Sequence, residues 1–139
     1  MKKPYIVIVD NDPSNLEFLE YLIYDLRAKS KCVSFVFGDE AVDVLCNQFR
    51  QVPEFVFINA NLKRTSGSRC LSVLRNDSRF NTCCIGIYSA CMPEALADTY
   101  KSMGADFAFQ LPISLPQGQV VLEDILSTPR TQSSEHKVA

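Results

Sequence analysis

The chain has 139 residues, of which 47% are hydrophobic, so it is long and apolar enough to bury the core of one domain. Sixteen acidic and fourteen basic residues give a formal net charge of −2, and neither sign forms a long run. This balance argues against a non-specific nucleic-acid surface and against an anionic-membrane surface. The apolar runs have only the length of strands, so none is expected to span a bilayer. From the charge balance and the short apolar runs together, we predict no contact with nucleic acid or membrane.

The first residues favour a strand over a signal peptide, because the apolar run in MKKPYIVIVD is short and ends at an acid, Asp10. The only histidine, His136, lies in a polar tail, and no CxxC pair is present among the six cysteines, Cys32, Cys46, Cys70, Cys83, Cys84 and Cys91. If Cys83 and Cys84 lie on a strand, their side chains point to opposite faces. We therefore predict reduced, mostly buried thiols in a cytoplasmic protein.

Strand and helix patterns alternate five times along the chain. Apolar runs predict strands over residues 5–9, 32–37, 55–58, 83–88 and 107–109. Apolar residues at helical spacing predict a helix after each strand, marked by Leu16, Leu19, Leu22, Ile23 and Leu26, by Ala41, Val44, Leu45 and Phe49, by Cys70, Leu71 and Leu74, by Leu96, Tyr100 and Met103, and by residues 120–126. Gly38 is expected to end the second strand, and Gly104 the fourth helix.

This alternation predicts one α/β domain over residues 1–127, built as a three-layer, doubly wound sheet of five parallel strands with right-handed crossovers. Residues 128–139 are polar, contain a proline and show no periodicity. They are predicted to form a disordered C-terminal tail.

Polar side chains follow the predicted strands where these end. The carboxyl ends of the first, third, fourth and fifth strands supply Asp10, Asn11 and Asp12, then Asn59, Ser89 and Leu111. In an open α/β sheet, ligands and chemistry collect at this edge. Taken alone, each residue has a plainer interpretation; Asp12 before Pro13, for example, is typical of a helix N-cap. Their combination at one edge predicts a site.

Four segments of the chain, IVIVDNDPSNLEFL, FINANLKRTSG, IYSA and GADFAFQLP, resemble the blocks of the response-regulator receiver domain of two-component signalling. The likeness covers about residues 4–127 and implies the flavodoxin-like receiver fold with strand order 2-1-3-4-5. The third-strand loop is similar to that of stand-alone receivers with the sequence LDLNMPRKNG, matched here by Asn61, Arg64 and Gly67.

In that family, an acidic pair after the first strand helps to hold Mg²⁺, and an aspartate at the end of the third strand accepts a phosphoryl group from a histidine kinase. The resemblance assigns the first acid to Asp10, while Asn11 replaces the second, which is the direct metal ligand. Asn59 replaces the phospho-acceptor. The metal site, if present, would be formed by Asp10, Asp12, Asn59 and Asn61.

The family's other switch residues are only partly matched. Ser89 matches the Ser/Thr that contacts the phosphate, and Pro112 matches the proline after the family's lysine. Leu111 replaces that lysine, and Ala108 replaces the aromatic whose rotamer reports phosphorylation. The whole phosphorylation apparatus is therefore expected to be lost.

The substitutions at these family positions have consistent physical consequences. A neutral amide cannot serve as the nucleophile that forms an acyl phosphate, and it is a weak Mg²⁺ ligand. We predict a pseudo-receiver that is not an enzyme, has no cofactor and binds Mg²⁺ weakly or not at all. It is expected to be a monomer or weak homodimer that binds a histidine kinase or another two-component protein through the last two helices and fifth strand.

Two alternatives stay open. The first is a receiver that is still phosphorylated, on Asp10 or Asp12. The second is a flavin-like small-molecule binder at the same sheet edge, although no Gly-rich phosphate loop is visible in the sequence.

Overall fold

The computed structural model describes residues 4–48 and 51–128, which form alternating strands and helices. The strands are β1 (Tyr5–Val9), β2 (Lys31–Phe35), β3 (Phe55–Asn59), β4 (Cys84–Ser89) and β5 (Phe107–Gln110). The helices are α1 (Pro13–Leu26), α2 (Gly38–Asn47), α3 (Gly67–Arg75), α4 (Glu94–Ser102) and α5 (Leu115–Leu126), and a short 3-10 turn, Ser78–Phe80, precedes β4. All strand pairs are parallel, in the order β2-β1-β3-β4-β5, which confirms the predicted fold class and strand order.

The three central strands send alternate side chains into two separate cores. Along β1, Ile6 and Ile8 pack with α1 and α5, whereas Val7 and Val9 pack with α2 and α3. The same alternation divides Phe55, Phe57, Cys84 and Tyr88 on the first side from Val56, Ile58, Ile85 and Ile87 on the second. Because both faces are covered, these strands appear in the sequence as continuous apolar runs.

Side-chain caps fix the starts of three helices. Asp12 accepts a hydrogen bond from the backbone nitrogen of Ser14 at 2.9 Å, and Pro13 is the first residue of α1, as predicted. Ser66 caps α3, and Ser114 caps α5. The last helix therefore begins at Leu115, well before the predicted periodic segment at 120–126. The sequence signal for this earlier start was the capping residue Ser114, which an analysis of apolar spacing alone does not detect.

The prediction that the apolar residues of α4 face inward is wrong for two of the three residues. Leu96 and Met103 are 37% and 38% exposed, and α4 contains no buried residue. Only Tyr100 of the predicted set packs against the core, on the α2–α3 side. Apolar spacing shows that residues share a helix face, but it does not show that another element covers that face.

Gly38 does not end β2, which stops at Phe35, but is the first residue of α2. A Cβ atom at this position would lie 2.5 Å from the Sγ of Cys70, so the glycine allows α2 to approach α3 closely. Phe49, predicted to mark α2, and the predicted tail from residue 129 onward, with His136, lie outside the described residues.

The six cysteines are free thiols in the described part of the chain. Cys70, Cys83 and Cys84 are buried, and the adjacent Cys83 and Cys84 belong to opposite cores, as their predicted alternation required. Cys32 and Cys46 are half-buried, and Cys91 is exposed. Within residues 4–48 and 51–128, no helix has the length and apolar character needed to cross a membrane.

Candidate functional site at the carboxyl edge of the sheet

Three polar side chains, Asp10, Asn59 and Tyr88, meet where the central strands end. Asp10 extends the β1–β2 ladder by donating its backbone N–H to the carbonyl of Phe35 at 3.0 Å, and Asn59 pairs with Tyr88 in the β3–β4 register. Side chains alternate along a strand, so Asp10 shares the α1–α5 side of β1 with Ile8, and Asn59 shares that side of β3 with Phe57. The three polar groups therefore converge on one side of the sheet.

The carboxylate of Asp10 is fully buried and is surrounded by hydrogen-bond donors. Its Oδ1 accepts from the backbone nitrogen of Asp12 at 2.9 Å. Its Oδ2 accepts from Tyr88 Oη at 2.7 Å, from Asn15 Nδ2 at 3.0 Å and from Asn59 Nδ2 at 3.1 Å. No lysine or arginine in the described residues forms an ion pair with Asp10. Within the described residues, hydrogen bonds from neutral groups therefore compensate the desolvation of this carboxylate.

The amide of Asn59 connects two parts of the site. Its Nδ2 donates to Asp10, and its Oδ1 accepts from the backbone nitrogen of Asn61 at 2.8 Å. The side chain of Asn61 in turn donates to Ser89 Oγ at 3.0 Å, and the backbone nitrogen of Cys91 donates to the same oxygen at 3.4 Å. A continuous set of hydrogen bonds thus joins the end of β1 to the loops that follow β3 and β4. A carboxylate at position 59 could not make the bond to Asp10, because an ionised carboxylate is only an acceptor.

Gly67 allows α3 to begin directly beside the end of β3. Its backbone nitrogen donates to the carbonyl of Ala60 at 3.2 Å. A Cβ atom at this position would lie 2.4 Å from the carbonyl oxygen of Asn59 and 2.7 Å from the Cα of Ala60. Only glycine fits this approach without moving the strand end that carries Asn59.

Two residues of the site, Tyr88 and Asn15, were not predicted. Burial, followed by the charge of the Asp10 carboxylate, raises the pKa of Tyr88 well above its ordinary value, so its hydroxyl stays protonated and donates to Asp10. A tyrosine near the end of a fully buried strand was the available signal, because a buried hydroxyl needs a hydrogen-bond partner. For Asn15 in α1 the sequence contained no comparable signal.

The remaining predicted residues after β1 have different surroundings. Asp12 is exposed, and its carboxylate caps α1 by accepting a hydrogen bond from the backbone nitrogen of Ser14. Asn11 is half-buried, and its Oδ1 is a buried acceptor with no hydrogen-bond partner among the described residues. In the described part of the chain, no group of three or more His, Cys, Asp or Glu side chains is arranged to hold a metal ion.

The predicted residues near β5 belong mainly to the packing of the sheet edge. Leu111 is half-buried against the α1–α5 core, and its backbone nitrogen donates to the carbonyl of Ser89 at 2.9 Å. Pro112 is buried. Ala108 pairs with Ile87 across the β4–β5 ladder and packs on the α2–α3 side. None of these three contributes a polar side chain to the site.

The comparisons with known proteins identify the fold. No family model and no curated protein matches the sequence. The structure is similar to the phosphorylated cyanobacterial phytochrome response regulator RcpA, with a TM-score of 0.78 and 14% identity over 89% of this chain and 91% of that one. It is also similar to the Mn²⁺-bound response regulator Rcp1 (TM-score 0.76, 12% identity, 91% and 93% covered) and to the chemotaxis response regulator CheY4 of Vibrio cholerae (0.75, 15%, 89% and 99%).

These structures are response regulators, and the likeness extends over nearly the whole of each chain. The chain therefore has the receiver fold, as the sequence resemblance implied. At identities of 12–15%, the likeness concerns the fold, and the function has to be argued from the site itself.

Proposed function

We propose that this chain is a receiver-fold signalling protein that acts by binding partner proteins and is not phosphorylated on an aspartate. The observation that carries the proposal is the hydrogen bond from Asn59 Nδ2 to Asp10 Oδ2, 3.1 Å long. The residue at the phospho-acceptor position is a neutral amide, which cannot supply the oxygen nucleophile that an acyl phosphate needs. Its nitrogen and its oxygen are both engaged within the protein.

The same hydrogen bonds support the proposal that the edge does not hold Mg²⁺. Both oxygens of Asp10 accept hydrogen bonds, the oxygen of Asn59 accepts from Asn61, and the carboxylate of Asp12 caps α1. Mg²⁺ prefers several hard anionic oxygens in octahedral geometry. The unpartnered Oδ1 of Asn11 is one neutral oxygen, which does not make a site of that kind.

The exposed surface of α4 supports partner binding as the mode of action. This helix has no buried residue and packs against β5, and Leu96 and the C-cap residue Met103 are exposed apolar residues. Residues seven positions apart share a helix face, and exposed apolar residues on one face are typical of protein interaction sites. We place the contact with a histidine kinase or another two-component protein on α4, β5 and α5. On this proposal the protein is a non-enzymatic, cytoplasmic monomer or weak homodimer.

Treatment with acetyl phosphate and Mg²⁺, followed by intact-mass spectrometry, tests the proposal. We expect no added phosphoryl group, while RcpA, which is known in a phosphorylated form, serves as the positive control. Backbone amide shifts on addition of beryllofluoride and Mg²⁺ are expected to stay unchanged around positions 10, 59 and 89. An acid-labile phosphoryl group mapped to Asp10 or Asp12 would overturn the proposal, and a coloured purified protein would point to a bound flavin.

A further inference from the structure

A cleft between α2 and α3 is not explained by the site at the sheet edge or by the exposed surface of α4. Its volume is about 280 Å³, and it is open to solvent between the two helices. We call it the α2–α3 cleft; α2 lines it with Val42, Asp43 and Asn47, and α3 lines it with Arg69, Cys70 and Val73. None of these residues takes part in the hydrogen-bonded site around Asp10, which lies on the α1–α5 side of the sheet.

The bottom of the α2–α3 cleft is apolar, and the packing of the two helices holds its walls in place. Cys70 is buried, and Val42 is half-buried against the same core. At the start of α2, a Cβ atom on Gly38 would lie 2.5 Å from Cys70 Sγ and 3.2 Å from the carbonyl oxygen of Thr65, so the two helices are in close contact there. The cleft is therefore formed by the fold itself, which is typical of small-molecule sites.

The two walls carry charges of opposite sign that do not pair with each other. On α2, the carboxylate of Asp43 accepts hydrogen bonds from two neutral amides, Asn47 Nδ2 at 2.8 Å and Gln48 Nε2 at 3.4 Å. On α3, the exposed Arg69 forms no ion pair with any carboxylate of the described residues, and Asp43 forms none with any of their basic groups. The cleft thus presents an anion and a cation on opposite sides of an apolar floor.

The second carboxylate in the cleft, that of Asp39, already has a cation. It accepts from Arg64 at 3.0 Å, and the guanidinium of Arg64 lies over the ring of Phe37, 3.7 Å from its centre. Asp43 and Arg69 therefore remain as the charges that a ligand would neutralise. A ligand of one sign would neutralise only one of them, whereas a ligand with an ammonium and a carboxylate group would neutralise both.

The size of the cleft and its floor restrict the ligand further. Small-molecule pockets have volumes of about 300–1,000 Å³, so a cleft of about 280 Å³ suits a compact molecule and is too small to enclose a nucleotide or a flavin. Its apolar residues, Val42, Cys70 and Val73, favour burial of an aliphatic group over a polar one. An aliphatic α-amino acid combines this group with an ammonium and a carboxylate.

We propose that the α2–α3 cleft binds a free aliphatic α-amino acid of about the size of leucine. Its ammonium group would donate to the carboxylate of Asp43, and its carboxylate would accept the paired N–H groups of Arg69. Its side chain would lie on Val42, Cys70 and Val73. The inference goes beyond the proposed function and uses none of the residues at the Asp10 edge, so amino-acid binding and phosphodonor labelling succeed or fail independently.

The test is a titration of the whole chain with L-leucine, followed by backbone amide shifts. N-acetyl-L-leucine lacks the ammonium charge, L-leucinamide lacks the carboxylate, and glycine lacks the side chain, so each of these compounds removes one of the proposed contacts. We expect leucine to bind at least ~5-fold more tightly than any of the three, since an exposed charge pair or a partly buried aliphatic group contributes about 1 kcal/mol. Its shift changes are expected on residues 39–47 and 65–73.

Matched variants assign each contact to its residue. Asp43→Asn should weaken leucine binding at least ~5-fold and abolish the preference for leucine over N-acetyl-L-leucine, while the preference over L-leucinamide remains. Arg69→Gln should do the converse. Glu40→Gln on α2 and Lys63→Gln before α3 make the same charge changes at exposed positions that do not line the cleft, so they should leave the affinity unchanged.

Several results would overturn the inference. One is the absence of shift changes at ~10 mM leucine, a concentration that would detect even weak binding. Others are equal affinities for leucine, N-acetyl-L-leucine and L-leucinamide, or shift changes that map to the Asp10 edge. Folded Asp43→Asn and Arg69→Gln proteins that bind leucine as tightly as the native chain would also overturn it. The same shift changes on concentrating the protein without leucine would identify a second copy of the chain as the occupant instead.

Discussion

At position 59, one nitrogen atom in place of an oxygen changes what the whole sheet edge can do. A carboxylate there would stand within about the same 3.1 Å of Asp10 Oδ2 as the amide nitrogen does now, and two carboxylates at that distance repel each other unless one is protonated or a cation lies between them. With Asn59 the contact is a hydrogen bond between a neutral donor and the Asp10 carboxylate. Tyr88 and Asn15 supply two further donors to the same carboxylate oxygen.

The hydroxyl of Tyr88 is expected to be a strong contributor to stability. Tyr88→Phe removes a buried hydrogen bond to a charged acceptor, so the free energy of unfolding should fall by about 1.5–3 kcal/mol. Urea unfolding at pH 7 measures this loss. Tyr21→Phe, which changes an exposed tyrosine with no hydrogen bond in the described residues, is the control and should stay within about 0.5 kcal/mol. Equal losses in the two variants would contradict the role given to Tyr88.

Restoring the family's pattern at one position is expected to achieve little. Asn59→Asp alone removes a donor to Asp10 and adds a like charge, so apo stability should fall by about 1–3 kcal/mol, with no labelling by acetyl phosphate. The triple variant Asn11→Asp, Asn59→Asp, Leu111→Lys should recover Mg²⁺ binding and some labelling. Added Mg²⁺ should return part of its stability, because the ion binds only the folded state.

Ala108 is unchanged in this triple variant, so phosphorylation is expected without a full conformational switch. Isothermal titration with Mg²⁺ and intact-mass spectrometry give the two readouts. A triple variant that folds, yet neither binds Mg²⁺ nor takes up label, would show that these three positions have been assigned wrongly.

At the scale of secondary-structure elements, Arg75 ties α3 to the amino-terminal ends of β4 and β5. Its guanidinium donates to the carbonyls of Gly104 (2.8 Å), Phe80 (2.9 Å) and Cys83 (3.2 and 3.3 Å), and to Asp106 Oδ2 (2.9 Å). Asp106 Oδ2 also accepts from the backbone nitrogen of Ile85 at 2.8 Å. Gly104, at φ +112°, lies so close that a Cβ atom there would be 2.5 Å from the Cγ of Arg75.

Loss of this arginine is expected to destabilise the fold strongly. The side chains of Arg75 and Asp106 are only 10% and 13% exposed, so Arg75→Ala leaves a mostly buried carboxylate without its cation and should cost about 3–5 kcal/mol. Arg75→Lys should recover only part of this, because an ammonium cannot reproduce the fork of donors. Chemical unfolding provides the measurement.

The ion pair of Arg64 with Asp39 is the matched surface control. Its side chains are 54% and 52% exposed, so solvent screens the pair, and Arg64→Ala should lower the free energy of unfolding far less than Arg75→Ala. If Arg64→Ala and Arg75→Ala destabilised the protein equally, the buried network would not have the importance that its geometry indicates.

At the scale of the whole molecule, one phenol and two thiols that are buried or half-buried and neutral at pH 7 make the fold sensitive to alkaline pH. Burial raises the pKa of Tyr5 and of Cys32 to about 12 and that of Cys70 to about 11. In the unfolded chain such thiols and phenols ionise at roughly pH 8.5 and 10. As the pH rises, the unfolded chain therefore releases these protons before the folded protein does, and the unfolded state gains stability.

The contribution of these groups to the free energy of unfolding is thus expected to be fully present below about pH 8. It should be lost progressively between about pH 9 and 12. Urea unfolding under reducing conditions from pH 7 to 11 measures the slope. Cys70→Ala removes one of these groups, so the free energy of unfolding should fall less steeply between about pH 9 and 11. Stability that stays level or rises up to pH 11 would contradict the buried, protonated state of these side chains.

Local sequence patterns were sufficient to predict the fold class and the sheet edge at which these polar side chains meet. Strands covered on both faces leave continuous apolar runs, and the helices between them leave helical apolar spacing, so the element order and the α/β class could be predicted. Parallel strands present their carboxyl ends at one edge, so Asp10, Asn59 and Ser89 could be expected near one another. That position 59 carries an amide and not a carboxylate can be read directly from the sequence.

The hydrogen-bond partners at that edge, and the exposed side of each helix, depend on the assembled fold. Tyr88 and Asp10 are 78 positions apart in the chain, and only the folded sheet brings the Tyr88 hydroxyl to 2.7 Å from the Asp10 carboxylate. The apolar residues of α4 have the spacing of a buried face, yet Leu96 and Met103 remain exposed among the described residues. A local pattern records which residues share a face, whereas burial and hydrogen bonding over long separations are set by the elements that pack against that face.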